Sequence, residues 1–270
     1  MRILYNFFIR SIFYIYLFIP YFNIERRLLS LSSYRSKVIS DNRFSATRFE
    51  VSGEPPRDVF ITDFLNEYEG KERRVTIYDF GGGVGKGYLR FRKYFPSSYQ
   101  LNYTVFETKN MVDSSASADT SFICSGDSIN WCCFDVRFKP VTRSSDLVIL
   151  FSDSCFQYLE NAVDLLEQLM ADIDPDIVVI DRVPLAVSTK RSCVQLSLLS
   201  AHVDCGILEL GFFDKFMITP IFFHECDEFL VPFSSRSMLL LESTAQKSRT
   251  FRRFGGDLFL ARYVFKRSGF

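Results

Sequence analysis

The chain has 270 residues, 47% of them apolar and 24% charged, an ordinary globular balance for one large domain with modest additions and a substantial core. Lys plus Arg equals Asp plus Glu at 32 each, which excludes a global electrostatic pull toward nucleic acid. Seven cysteines, an odd number without a C-x-x-C pair, fit free thiols in a reducing, cytoplasmic compartment better than a disulfide framework.

Residues 3–23 form an apolar, aromatic run broken by Asn6 and Arg10 and limited by Pro20. Its uninterrupted part, 11–22, falls short of the about 20 apolar residues a spanning helix needs, and no small-residue cleavage site follows. The reading is an N-terminal apolar helix over 1–23. Two roles stay open for it: peripheral membrane contact at the interface, or packing on the core or a partner. Residues 24–57 read as a connector ending near Glu54-Pro55-Pro56, and 58–270 as the main domain. Val59, Phe60, Phe64 and Tyr68 share a face of an expected helix over 58–69.

From there strand and helix alternate. Val75–Phe80 reads as a strand, Gly85–Phe95 as a helix stopped by Pro96, and Leu101–Glu107 as a second strand. Asn110–Ala118 suggests a short helix and Ser121–Cys124 a weak third strand. Leu147–Phe151 is a strong apolar strand. Ala162–Ala171 is an amphipathic helix with Leu165, Leu166 and Leu169 inward and Asn161 as N-cap. Ile177–Ile180 is a buried strand ending at Asp181. Ser237–Ser243 and Leu258–Phe265 suggest a closing antiparallel pair, with Gly255-Gly256 in the turn region. Short apolar strands alternating with helices predict an α/β, doubly wound, mainly parallel Rossmann-like sheet with an antiparallel strand near the C-terminus.

The segment Asp79-Phe80-Gly81-Gly82-Gly83-Val84-Gly85-Lys86-Gly87 leaves a strand and enters a helix. Glycines there let the backbone turn tightly and approach a ligand beside free helix N–H groups. A P-loop fails, because Phe80 and Gly87 stand where Gly and Ser or Thr are required. A dinucleotide G-x-G-x-x-G fails in both frames, which end at Lys86 and Tyr88. The segment closely resembles the first motif of class I S-adenosylmethionine-dependent methyltransferases, acidic-x-Gly-x-Gly-x-Gly, with Asp79, Gly81, Gly83 and Gly85 at the fixed positions and Gly82 between them. The resemblance implies a loop against the methionine and ribose side of S-adenosyl-L-methionine, supported by the acidic residue. Glu107 ends the next strand 22 residues after Gly85, suiting a carboxylate that accepts from ribose hydroxyls. The resemblance further implies adenine contact at Asp127, after the weak third strand, and a pocket closed by Leu147–Ser152.

Together Asp79–Gly85, Val105–Thr108, Phe151–Tyr158 and Ile180–Pro184 resemble a less characterised bacterial methyltransferase family often found among surface-polysaccharide genes. That resemblance implies a small-molecule or glycan-type acceptor. Methyl transfer needs an aligned acceptor and, for a hydroxyl, removal of its proton. Candidates at the carboxyl ends of the central strands are Asp153, Asp181 and Tyr158 for catalysis, with Gln157 and Arg182 for acceptor binding. An Asp181–Arg182 loop pair and an Asp153 helix cap are the structural alternatives. His202 with Cys205 and His224 with Cys226 have irregular spacing that argues against a metal site. Arg249, Arg252 and Arg253, interleaved with Phe251 and Phe254, read as a solvated loop rather than a nucleic-acid surface. The leading function is S-adenosylmethionine-dependent methyl transfer, to oxygen. A non-catalytic cofactor-binding or membrane-associated scaffold and a nicotinamide oxidoreductase are the alternatives.

Overall fold

A computed structural model describes residues 15–17, 73–118, 120–133, 147–188, 191–198, 216–246 and 257–268. The strands are β1 (Ile15–Leu17), β2 (Arg73–Phe80), β3 (Tyr99–Glu107), β4 (Ser128–Cys133), β5 (Leu147–Asp153), β6 (Ile177–Ala186), β7 (Arg191–Leu198), β8 (Phe216–Glu225), β9 (Met238–Gln246) and β10 (Leu258–Arg267). The helices are α1 (Gly87–Tyr94), α2 (Lys109–Ser114), α3 (Ala162–Ile173) and α4 (Cys226–Ser234).

Period-two burial on both faces explains why β2 and β5 sit at the centre. Val75 and Ile77 face one layer while Tyr78 and Phe80 face the other; all six residues Leu147–Ser152 are buried. Tyr88 and Phe91 of α1 cover the first face, packing with Ile77, Ile149 and Phe151. Leu166, Leu169 and Met170 of α3 and Phe229 and Phe233 of α4 cover the second, packing with Phe80, Leu150 and Ile180. Leu165 is half-buried against that cluster. Asn161 stands at the N-cap of α3, but its side chain makes no capping bond.

The central order is β4-β3-β2-β5-β6, all parallel. It reverses direction at β2 and β5, the switch point where doubly wound sheets open a crevice beyond the strands' carboxyl ends. β10 lies antiparallel to β6, from Lys266↔Ile177 to Leu258↔Ala186, and antiparallel to β9 on its other side. The expected closing antiparallel strand is therefore present. Phe265 of β10 stacks on Phe233 at 3.8 Å between ring centroids and anchors that edge to α4.

Several elements differ from expectation. Ser121–Cys124 is a turn and bend, and the third strand is β4, which begins at Ser128. Phe122 and Ile123 are apolar because they pack as a loop against the first layer, not because they pair. The strand expected to stop at Ile180 continues to Ala186, since β10 supplies partners on both sides of a register shift at Asp181 and Arg182. β7, β8 and α4 were not anticipated. Of the expected N-terminal helix, only Ile15–Leu17 is described, and these residues pair with β7 as a strand. The expected connector, the helix over 58–69 and the Gly255-Gly256 turn lie outside the described residues. Among the described residues no helix is long and apolar enough to cross a membrane.

Candidate functional site

Beyond β2 the chain turns at once. Gly81 has φ +74° and Gly83 φ +59°, left-handed values that cost most other residues about 1–2 kcal/mol. The Gly81 N–H donates to Phe106 O at 2.9 Å, and a Cβ there would collide with the Cys155 side chain. Gly82 folds over Asp79, whose carboxylate a Cβ would strike. A Cβ on Gly83 would meet nothing within 4 Å, so at this residue the bare backbone borders open space.

Glu107, at the carboxyl end of β3, holds this loop directly. Its Oε1 accepts from the Gly83 N–H at 3.1 Å and its Oε2 from the Thr108 N–H at 2.8 Å. Each carboxylate oxygen accepts more than one bond, so the pairing orients Glu107 without exhausting it. The Trp131 indole N–H donates to Gly83 O at 3.2 Å, which fixes the loop from β4. The sequence joined Asp79, Gly81, Gly82, Gly83, Gly85 and Glu107, and the structure brings these residues together.

Asp79 lies beneath the loop, 2% exposed, accepting a short hydrogen bond from the Tyr103 hydroxyl. Its Oδ1 is buried without a hydrogen-bond partner. Burial, reinforced by Asp153 and Glu107, pushes its carboxyl up to about 7, against the lowering effects of Tyr103 and Arg90. Burial, with Glu107 and Asp79 nearby, likewise pushes the Cys155 thiol well above its usual range. A thiol held protonated is a packing group, not a nucleophile. Trp131 and Cys155 are the loop contacts that sequence reasoning missed. The only signal for Trp131 was its being the single tryptophan.

One expected cofactor contact is corrected, and another has a structural partner. Ser152 is buried, and its hydroxyl donates to Phe80 O at 3.0 Å, which staples β5 to β2. Asp127 precedes β4 and lies at the opposite end of the sheet. It accepts from Tyr88 Oη at 2.7 Å, from Arg92 at 3.0 and 3.1 Å and from Leu101 N at 2.9 Å. Five strand residues at about 3.3 Å each separate that end from Glu107. Asp127 misled because the third strand was placed before it rather than after it.

The acceptor candidates form ion pairs. Arg182 Nε and Nη2 fork onto the two Asp153 oxygens at 2.6 and 2.7 Å, and the Ser154 hydroxyl donates to Oδ1 at 3.1 Å. Asp153 raises the Arg182 guanidinium pKa through this bond. Asp181 and Arg182 do not pair with each other. Asp181 lies between Arg90 and Arg262, each at 3.4 Å. Ser154 and Arg182 both have positive φ, at 57° and 52°, and the Ser154 N–H donates to Asp181 O at 3.0 Å. Strained non-glycine residues cluster at ligand sites; Ser154 follows β5 directly, and Arg182 lies midway along the neighbouring β6. Gln157 and Tyr158 occupy a single 3-10 turn, Phe156–Tyr158, pinned by Phe156 stacked on Phe80 at 5.3 Å. Tyr158 packs on Ala186, Ile221, Phe223 and Leu258.

His224 is fully buried, with Nε2 3.3 Å from Phe156 O and its ring near those of Phe222 and Phe229. Cys226 Sγ lies 3.4 Å from the Tyr263 hydroxyl. Both are core groups. His202, Cys205 and the 249–254 segment lie outside the described residues.

No family model matches the sequence, and no curated protein sequence matches it. Solved structures do. The cyclopropane synthase MmaA2 from Mycobacterium tuberculosis gives a TM-score of 0.47 at 11% identity, covering 88% of this chain and 99% of that one. An S-adenosylmethionine-dependent methyltransferase from Clostridium acetobutylicum gives 0.45 at 13%, covering 78% and 90%. LepI in complex with SAM gives 0.43 at 13%, covering 81% of this chain and 50% of LepI, so the chain spans about half of LepI's length. The doubly wound fold stands on the strand order itself.

Proposed function

We propose that this chain binds S-adenosyl-L-methionine over the Gly81–Gly85 loop and transfers its methyl group to an oxygen of a small-molecule or glycan-type acceptor. One observation carries the reading. Gly83 has open space where a Cβ would stand, and its N–H is tied to Glu107, the carboxylate one strand over. A backbone cradle beside a carboxylate acceptor at the sheet's switch point suits a nucleoside carrying a methionine tail. Gly81–Gly85 would hold the methionine side, Glu107 the ribose hydroxyls, and Asp79 the loop from below. When bound, the cofactor supplies an activated methyl group on a sulfonium centre. The chain's own residues position the acceptor and take its proton. Asp153 is the carboxylate for that step, oriented by the Arg182 fork. Peripheral membrane contact through residues 1–23 and a surface-polysaccharide acceptor belong to the same proposal.

Titration of the full chain with S-adenosylhomocysteine and with NAD tests the cofactor class. Micromolar-scale binding of the first and none of the second is expected; the reverse would assign a nicotinamide oxidoreductase. The closed Asp153–Arg182 and Asp181–Arg90 pairs favour one second reading, a cofactor-binding scaffold without turnover, because both carboxylates are already taken up by guanidinium partners. Asp153→Asn decides between them. An enzyme loses turnover and keeps S-adenosylhomocysteine affinity, whereas a scaffold keeps its partner binding unchanged.

A further inference from the structure

A second concavity, of about 400 Å³, opens at the other end of the sheet, where the parallel strands β6 and β9 begin. Its walls include Arg236 and Arg267, with Asp174, Ser237 and Met238. Arg267 is fully engaged: it forks onto the two Asp174 oxygens and donates to Pro175 O at 2.9 Å. That pair neutralises itself and forms a fixed wall. Arg236 differs. Its main-chain N–H closes the end of α4 on Phe233 O, but among the described residues its guanidinium forms no hydrogen bond or ion pair, and its Nε is buried.

A guanidinium carries its charge into the protein, and a buried N–H without an acceptor is destabilising. The helix-end carbonyls do not offset that cost. Val231 O accepts from the Ser234 hydroxyl at 2.9 Å, and Pro232 O from the Ser235 hydroxyl at 3.0 Å. With Asp174 cancelling Arg267, Arg236 leaves the concavity one positive charge. The missing partner is therefore an anion that presents several acceptor oxygens to a planar fork.

We propose that this concavity is an oxyanion site that takes a phosphate group, with Arg236 as its donor and the Arg267–Asp174 pair as its fixed wall. Leu239, Leu240 and Leu241, each at least half exposed, follow directly on the edge strand β9. The phosphate thus has two sources to separate, a soluble phosphate ester and a phospholipid headgroup.

The test titrates inorganic phosphate into the full chain, followed by phosphorus NMR line broadening and by the thermal unfolding midpoint. Saturable broadening and a raised midpoint are expected, weakened about tenfold or more in Arg236→Gln, the loss expected for a charge-assisted fork. Arg236→Lys keeps the charge without the fork and should fall in between. Sedimentation with vesicles of phosphatidate in phosphatidylcholine separates the sources. Arg236-dependent pelleting assigns a headgroup, and phosphate binding without pelleting assigns a soluble ester. No saturable phosphate effect on the wild type, or equal affinity in Arg236→Gln, overturns the site. The wild-type measurement holds even if a variant fails to fold. S-adenosylhomocysteine affinity reports the other end of the sheet and should not respond to Arg236→Gln.

Discussion

Replacing Asp79 with Asn should flatten the pH dependence of stability. In the folded chain this carboxyl is pushed from 3.8 up to about 7, by burial first and by Asp153 and Glu107 next. Between those values the folded state holds a proton that the unfolded chain has released. The stability linked to Asp79 is therefore complete below the unfolded value and is lost as pH rises through the folded one. The full displacement corresponds to at most about 4 kcal/mol, of which about 3 kcal/mol is lost between about pH 5 and about pH 8. Asn does not titrate there. Its amide oxygen still accepts from the Tyr103 hydroxyl, while its NH2 replaces an oxygen that already lacks a partner, costing about 1–3 kcal/mol at every pH. That offset is the same at both pH values, so the slope is the signal. Urea unfolding of both proteins at the two pH values should show the wild type losing about 3 kcal/mol more than the variant. Parallel curves would refute the buried, proton-holding role of Asp79.

Asp127→Ala should cost about 1–3 kcal/mol in urea unfolding, because the Tyr88 hydroxyl and the Leu101 N–H lose an acceptor while Arg92 keeps the Tyr99, Phe95 and Pro96 carbonyls, yet leave S-adenosylhomocysteine affinity unchanged. A large affinity loss with unchanged stability would restore the adenine-contact role. Gly81→Ala combines a left-handed φ with collision on Cys155 and should destabilise by about 2–5 kcal/mol. Gly83→Ala carries only the backbone strain, about 1–2 kcal/mol, so equal midpoints for the two variants would contradict the loop geometry.

What the sequence made legible was local or periodic. The run Leu147–Phe151 is apolar at every position because the strand is buried on both faces, and this placed it at the sheet's centre. The spacing of Asp79, Gly81, Gly83 and Gly85 marked the loop, and Glu107 lay one βαβ unit on. The hidden features were long-range. Cys155 touches Gly81 across 74 residues, and Arg182 reaches Asp153 across 29, pairings no spacing rule reveals. β8 contains Pro220, whose missing N–H argues against a strand; its pairing with β7 carried it. β4 was obscured by polar and cysteine residues, so the more apolar Phe122-Ile123 loop drew the assignment.

Isothermal titration of S-adenosylhomocysteine into the wild type and Gly83→Val, with unfolding midpoints as the control, tests the bare-backbone niche beside Glu107 most directly. Micromolar-scale binding to the wild type and none to a folded Gly83→Val is expected, because the valine side chain fills space that is open in this chain. Equal affinity in the two proteins, or no binding to the wild type, would contradict it.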